Sequence, residues 1–432
     1  MGERRTISDV AILAAGIAIA AAVIAPIVMH GLTNPPDQRM VDLDVYRSSG
    51  WMVLRGSPVY DFLTQPPQLL PFTYPPFAAL LAIPLALLSW PTVQWLWVIL
   101  VYAALTIAVR YAFREVIRRT GRWGPITTGA LVGATAHLMP VSDQIRFGQV
   151  DLFLVALCAA DCLTPSPRWP RGVLIGLATA IKLVPGVFLI YLLVSGRRQA
   201  AGNALLTAAA VTLGTFALLP GDSIDFWFGA LFDNGRVGAN NATTNQAIKG
   251  MLLRLYLPDA VTSLLWVALA VLIAFCGFRF ARRASSLGES IRVSAGPESS
   301  AVYTAELTGV AITGLLAVLI SPVAWIHHLS WMVLVLGALL GSGRDIRRCV
   351  LTGVVWLFYV LPIPWWGAHL IGPKHAAITR FAGRIVQDAY GLGTVILVFV
   401  LGSWMAKGLC EISQADHEDG SRAHAKVGTL SS

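Results

Sequence analysis

Asp42 and Asp44 occur in the run Val41-Asp-Leu-Asp-Val-Tyr46, directly after the first membrane-length apolar stretch and ahead of Pro71-Phe-Thr-Tyr-Pro-Pro76. A carboxylate within hydrogen-bond reach of a hydroxyl can take its proton as that oxygen attacks, so acids just outside a membrane helix are candidates for a general base at the membrane face. Their i, i+2 spacing sets them on one side of an extended strand but about 200° apart on a helix. In a loop both could face a substrate or a cation, and the competing reading is a pair of solvated loop acids.

Other polar groups stand out against apolar surroundings. Lys182, in Ala180-Ile-Lys-Leu-Val-Pro185, falls between two short apolar segments, and an ammonium inside a membrane is costly enough to be a functional hypothesis. Snorkelling to an interface is its alternative. His327 and His328 follow Ser321-Pro-Val-Ala-Trp-Ile326; adjacent side chains lie about 100° apart on a helix, so one can face a cavity while the other packs. No third ligand lies at helical spacing, so the pair is not a metal motif. Arg146 and Gln149 share the connection Arg146-Phe-Gly-Gln-Val-Asp151, where the amide of Gln149 suits sugar hydroxyls. Asn245, Gln246 and Lys249 lie together in a long polar loop, and Tyr74 precedes Pro75-Pro76, which fixes the entry to a helix.

The elements that must position these groups are membrane helices. Hydrophobic residues make up 56% and charged residues 13% of the 432, against roughly 25% charged in a soluble domain. The expected fold class is therefore all-α, a polytopic integral membrane protein. The net charge of +9 comes from Arg and Lys between apolar segments, where anionic headgroups and the inside-positive bias account for it, so no nucleic-acid partner is implied. The five cysteines show no metal or disulfide framework.

Thirteen apolar segments can be counted, beginning with Val10–Met29, which is read as a retained helix with a cytoplasmic N-terminus. Segments 171–182 and 184–195 are below the roughly 17 residues that a spanning helix needs and are expected to form a broken or re-entrant pair. The basic runs Arg197-Arg198, Arg279–Arg283 and Arg344–Arg348 read as cytoplasmic, which puts 31–73, 221–258, 321–328 and 364–388 on the extracytoplasmic face. Counting both 76–90 and 92–112 as crossings would put the arginines of 110–122 outside, so the expected number of transmembrane or re-entrant helices is about 11 to 13. Residues 1–410 read as one membrane-embedded domain and 411–432 as a polar, disordered tail.

Taken in order, Asp42-Leu-Asp-Val-Tyr46, Pro71-Phe-Thr-Tyr-Pro-Pro76, Phe147-Gly-Gln-Val150, Lys182-Leu-Val-Pro185, Asn245-Gln-Ala-Ile-Lys-Gly250 and Ser321-Pro-Val-Ala-Trp-Ile-His-His328 resemble the polyprenol-phosphate-mannose-dependent α-1,2-mannosyltransferases of mycobacteria and relatives. The resemblance spans about residues 8 to 406. It implies a GT-C glycosyltransferase fold, a polyprenyl phosphomannose donor, a glycolipid or lipoglycan acceptor, and an active site on the extracytoplasmic side of the cell membrane.

By the same resemblance Asp42 matches the first-loop acid taken as the catalytic base. Asp44 ranks second, because some members carry histidine there. His327 and His328 match the family's pair in the sugar or phosphate pocket. Leu329 and Ser330 depart from the Trp-Val that follows the pair in several relatives. A β-linked donor and an α-linked product imply inversion by a single displacement. The departing phosphate needs positive charge rather than an acid. Lys182, Arg146, Lys249 and the histidines are the candidates, with Gln149, Tyr74, Asn245, Gln246 and Trp325 as further donor contacts. Neither a metal nor another cofactor is expected. The rival class is a polytopic lipid or sugar transporter or flippase, using Lys182 and Asp151 as intramembrane sites.

Overall fold

The computed structural model describes residues 7–35, 38–296 and 299–404. The 411–432 tail lies outside them. In chain order the helices are α1 (Ile7–Thr33), α2 (Val41–Arg55), α3 (Pro76–Ala86), α4 (Trp90–Ala112), α5 (Arg114–Arg119), α6 (Gly124–Ala136), α7 (Met139–Phe147), α8 (Asp151–Leu163), α9 (Val173–Ile181) and α10 (Val187–Val194). They continue as α11 (Arg198–Leu218), α12 (Pro220–Phe228), α13 (Ile248–Leu253), α14 (Asp259–Ala295), α15 (Ser300–Leu319), α16 (Met332–Leu340), α17 (Ile346–Val360), α18 (Ile363–Leu370) and α19 (Ala377–Gln387), ahead of a last helix, Ala389–Trp404. Among the described residues, β structure is confined to two isolated bridges, so the all-α expectation holds.

Five helices, α1, α4, α11, α14 and α15, are long and apolar enough to cross a membrane, and there are up to seven spans if the bent pairs α17 with α18 and α19 with Ala389–Trp404 each count as one. Several other apolar segments form shorter helices, among them α3 and 184–194. Burial sorts the spans into layers. In α15, 94% of the apolar stretch is buried, against 11% in α1 and 17% in α11. A helix apolar all round is a core or membrane element. α15 is thus the centre of the bundle, and the exposed Leu205, Leu206 and Leu213 of α11 and Leu264 of α14 face lipid.

Without a hydrophobic drive between helices in lipid, close contact relies on small residues. α1 and α6 meet in this way: a Cβ on Gly129 would stand 2.0 Å from the carbonyl oxygen of Gly16. α3 has only 11 residues, about 16 Å of helix, roughly half the hydrocarbon thickness. It is too short to cross alone and packs on α2.

The chain breaks at Lys182. Its backbone is extended, with φ −150° and ψ 129°, and Pro185 in the following turn has no N–H to return to the carbonyl of Ile181. The expected broken pair is therefore α9 and α10, with the ammonium at the break.

Candidate functional site

α2 settles the arrangement of the two acids. Both lie in its first turn, where a carboxylate is favoured by the helix dipole, and the helical turn sends them to different places. Asp42 lines a cavity of about 340 Å³ together with Tyr46, Tyr74, Gln149, Lys182 and His328. Asp44 lines a separate cavity with Arg39, Arg47 and Trp90. α2 is held close to α3 because Gly50 lacks the Cβ that would stand 2.6 Å from the carbonyl oxygen of Ala82.

Gln149 reaches Asp42 through a glycine. Gly148 caps α7 with φ 74°, and a Cβ there would lie 2.5 Å from Cβ of Leu43, so only glycine lets this connection press against α2. Gln149 Nε2 then donates to Asp42 Oδ2 at 2.7 Å. Its Oε1 accepts from the hydroxyls of Tyr46 at 3.1 Å and Tyr74 at 3.2 Å. Those hydroxyls are 2.9 Å apart, and Tyr60 donates to the Tyr74 carbonyl at 2.7 Å. Burial pushes the Asp42 carboxyl up to about 6, against the opposing pull of the Gln149 hydrogen bond and the nearby Lys182 charge. A base poised near neutrality is the useful kind at physiological pH. Burial also raises Asp44, with Arg47 opposing.

Lys182 Nζ lies 2.8 Å from Asp151 Oδ1 and 3.0 Å from His328 Nε2, and 5.2 Å from the centre of the Tyr74 ring. The backbone N–H of Trp325 donates to Nδ1 of His328 at 3.1 Å, so Nδ1 is unprotonated and the neutral ring carries its proton on Nε2. The ammonium of Lys182 and the N–H of His328 are then both donors, a contact that is unfavourable at this distance until an acceptor such as an oxyanion takes both. Arg236 lines the same cavity. Its Nη2 donates to the carbonyl of Tyr60 at 2.6 Å, and its buried Nε has no partner.

His327 packs behind His328, with ring centres 4.6 Å apart, and against Phe147. Its Nε2 and Asp151 Oδ2 are buried without hydrogen-bond partners. Asp151, His327 and His328 together offer donor atoms within 4.8 Å of one another, a set that could hold a metal ion. The third ligand comes from another part of the chain, which helical spacing could not reveal. The ammonium of Lys182 already stands against two of the three donors.

Of the residues singled out in the sequence, Asp42, Tyr74, Gln149, Lys182, Trp325 and His328 line one cavity. The others lie elsewhere. Arg146 is exposed over Phe147, and Lys249 sits over the ring of Trp266. Asn245 and Gln246 are fully buried clamps. Asn245 Oδ1 accepts from the N–H groups of Ala247 and Ala324; Gln246 Oε1 accepts from Gly391 N–H, and its Nε2 donates to the carbonyl of Gln387. They hold the loop before His328 in place and tie three of the four expected extracytoplasmic regions together.

Tyr46 and Arg236 were not singled out. A helical reading of 41–46 would have put Tyr46 on the face of Asp42. Arg236 is a cation in a loop where the inside-positive bias disfavours one, and that was its available signal.

Residues 72–322 match the model of glycosyltransferase family 87. The chain is 35% identical over 384 residues to the polyprenol-phosphate-mannose-dependent alpha-(1-2)-phosphatidylinositol mannoside mannosyltransferase of Mycolicibacterium smegmatis, covering 84% of this chain and 83% of that one. It is 33% identical to the Mycobacterium tuberculosis protein of the same description, over 78% of each chain. A phosphatidylinositol pentamannoside mannosyltransferase of M. tuberculosis is 30% identical, over 77% of this chain and 74% of its own. No solved structure matches.

Proposed function

The chain belongs to glycosyltransferase family 87, and from that premise we propose that it transfers mannose from polyprenyl phosphomannose to a phosphatidylinositol mannoside-type glycolipid, with inversion, forming an α-1,2 linkage. The observation that carries this reading is one cavity with a buried carboxylate, Asp42, on one wall and two facing donors, Lys182 and His328, on another. No observation favours the transporter reading, since the Lys182–Asp151 pair belongs to this same cavity wall.

Asp42 takes the proton of the acceptor hydroxyl as its oxygen attacks the anomeric carbon. On the opposite face the bond from that carbon to the phosphate oxygen breaks, and its electrons leave with the polyprenyl phosphate. The phosphate goes from one negative charge to two, so donors placed in advance at its oxygens stabilise the transition state more than the ground state. Lys182 Nζ and His328 Nε2–H are those donors, with Arg236 as a second cationic group. Asp151 holds the ammonium in place, and Gln149, fixed by Tyr46 and Tyr74, holds Asp42. Lys182 supplies the positive charge at the phosphate, and no step calls for a metal or another cofactor.

The site is assigned to the extracytoplasmic face of the cell membrane. What supports this is the length of α11: its 21 residues, about 30 Å of helix, separate Arg198 in the basic connection from α12, whose Phe226 lines the cavity. Incubating purified protein with polyprenyl phosphomannose and phosphatidylinositol mannosides tests the reading. Mannose should be transferred by the wild type and not by Asp42→Asn, and equal transfer by both would remove Asp42 from the role of base.

A further inference from the structure

At the other end of α10 and α11 from the catalytic cavity lies a second space, of about 570 Å³, between α10 and α14. Its walls divide by chemistry. Ile190, Leu193 and Phe275 form an apolar side, exposed to 44%, 56% and 65%. Arg198, Arg279 and Arg282 form the polar side, and all three are exposed.

These arginines differ from their neighbours in having no ion-pair partner among the described residues. Arg197 is bonded to Glu306 and Ser285, and Arg292 is paired with Glu289 and Glu306. Among the described residues no carboxylate stands within 4.0 Å of Arg198, Arg279 or Arg282, although α14 and α15 carry acids nearby. Three positive charges thus gather around one cavity with the local acids already committed.

Depth along the helices places the cluster at a membrane boundary. Arg279 is the twenty-first residue of α14, about 30 Å along the axis from Asp259, which matches the hydrocarbon thickness. Arg198 opens α11 at the same level. Below the arginines, the exposed Phe275, Leu193 and Ile190 continue toward the bilayer interior.

We propose that this cavity binds an anionic membrane phospholipid, its headgroup phosphate among Arg198, Arg279 and Arg282 and an acyl chain along Ile190, Leu193 and Phe275. Charge complementarity selects the phosphate, and basic pockets between membrane helices on the cytoplasmic side are suited to acidic headgroups. The apolar wall directly beside the arginines suits a lipid, whose acyl chain continues from its phosphate, over a soluble anion, which uses only the polar side. The site is separate from the transfer chemistry and does not depend on the reading of the catalytic cavity.

The test is native mass spectrometry of the full-length protein in detergent, titrated with phosphatidylglycerol or phosphatidylcholine of matched acyl chains. Wild type should retain phosphatidylglycerol at least tenfold more tightly. Substituting Arg198, Arg279 and Arg282 together by Gln should reduce that preference to threefold or less, while replacing the equally cationic set Arg110, Arg118 and Arg122 by Gln should leave it intact. Equal losses from both sets, or none from either, would overturn the site by showing a response to bulk charge alone. Displacement of phosphatidylglycerol by millimolar inorganic phosphate would overturn the lipid assignment by showing that a soluble anion suffices. All six positions are exposed, and gel filtration confirms that each variant is folded.

Discussion

Gln149 donates from Nε2 to Oδ2 of Asp42 across 2.7 Å, and the hydroxyls of Tyr46 and Tyr74 hold its carbonyl end so that the amide cannot turn over. The carboxylate is thereby supplied with a donor that stabilises its charged form in a site where burial works against it. The acid side of the rate profile should report this balance.

With Asp42 near 6, kcat/KM for mannose transfer should fall as pH drops through about 6, since only the deprotonated carboxylate accepts the proton. Gln149→Ala removes a hydrogen bond that lowers the pKa. The acid limb should then move to higher pH, with activity at pH 8 less affected than at pH 6. A rate profile displaced uniformly, with no movement of the limb, would assign Gln149 to sugar binding alone.

The two acids of α2 should separate in a substitution experiment. Asp42→Asn should lower kcat by about 10²- to 10⁴-fold, the usual contribution of a general base. Asp44→Asn acts on another cavity and should change kcat by less than about threefold, because this half-buried side chain does not line the catalytic cavity. Steady-state assays of the two variants side by side decide it, and a comparable loss in Asp44→Asn would bring that second cavity into the reaction.

How far this was legible beforehand depends on the range of the interaction. The apolar runs announce a helical membrane bundle, and the break at Lys182 follows from the nearby Pro185, because both are local. Asp42 and Asp44 could not be told apart while the run 41–46 was open between strand and helix, since that choice alone decides whether two residues apart means same side or opposite side. Asn245 and Gln246 were visible as a motif, but their work as clamps on the loop of Trp325 depends on partners about 80 and 140 residues away. Arg146 and Lys249 carry the right charge and point elsewhere, a matter of tertiary placement that composition does not encode. The pairing of Lys182 with Asp151, 31 residues apart, is of the same kind.

That pairing governs how Lys182 should be tested. Lys182→Met removes the ammonium at the phosphate and should lower kcat by about 10²- to 10³-fold, comparable with loss of an oxyanion donor. It also leaves the buried Asp151 without its counter-charge, which by itself destabilises a fold by about 3 to 5 kcal/mol. The double variant Lys182→Met with Asp151→Asn separates the two effects. Thermal stability should recover toward wild type while transfer stays low, and recovery of transfer along with stability would reduce Lys182 to a structural role.

A chelator tests the remaining reading of the same cluster. Asp151, His327 and His328 bring three donor atoms together, yet the ammonium of Lys182 stands 2.8 Å from Asp151 Oδ1 and 3.0 Å from His328 Nε2. A divalent cation using those atoms would have to displace it, and two positive charges in one buried space repel strongly. Transfer should therefore continue unchanged in excess EDTA, after metal analysis shows the protein to be metal-free. His328→Gln keeps a side chain able to donate toward the phosphate while giving up the imidazole ligand, and it should retain more activity than His328→Ala. Loss of transfer in EDTA, restored by a divalent cation, would instead make Asp151 and the two histidines a metal site and Lys182 its neighbour.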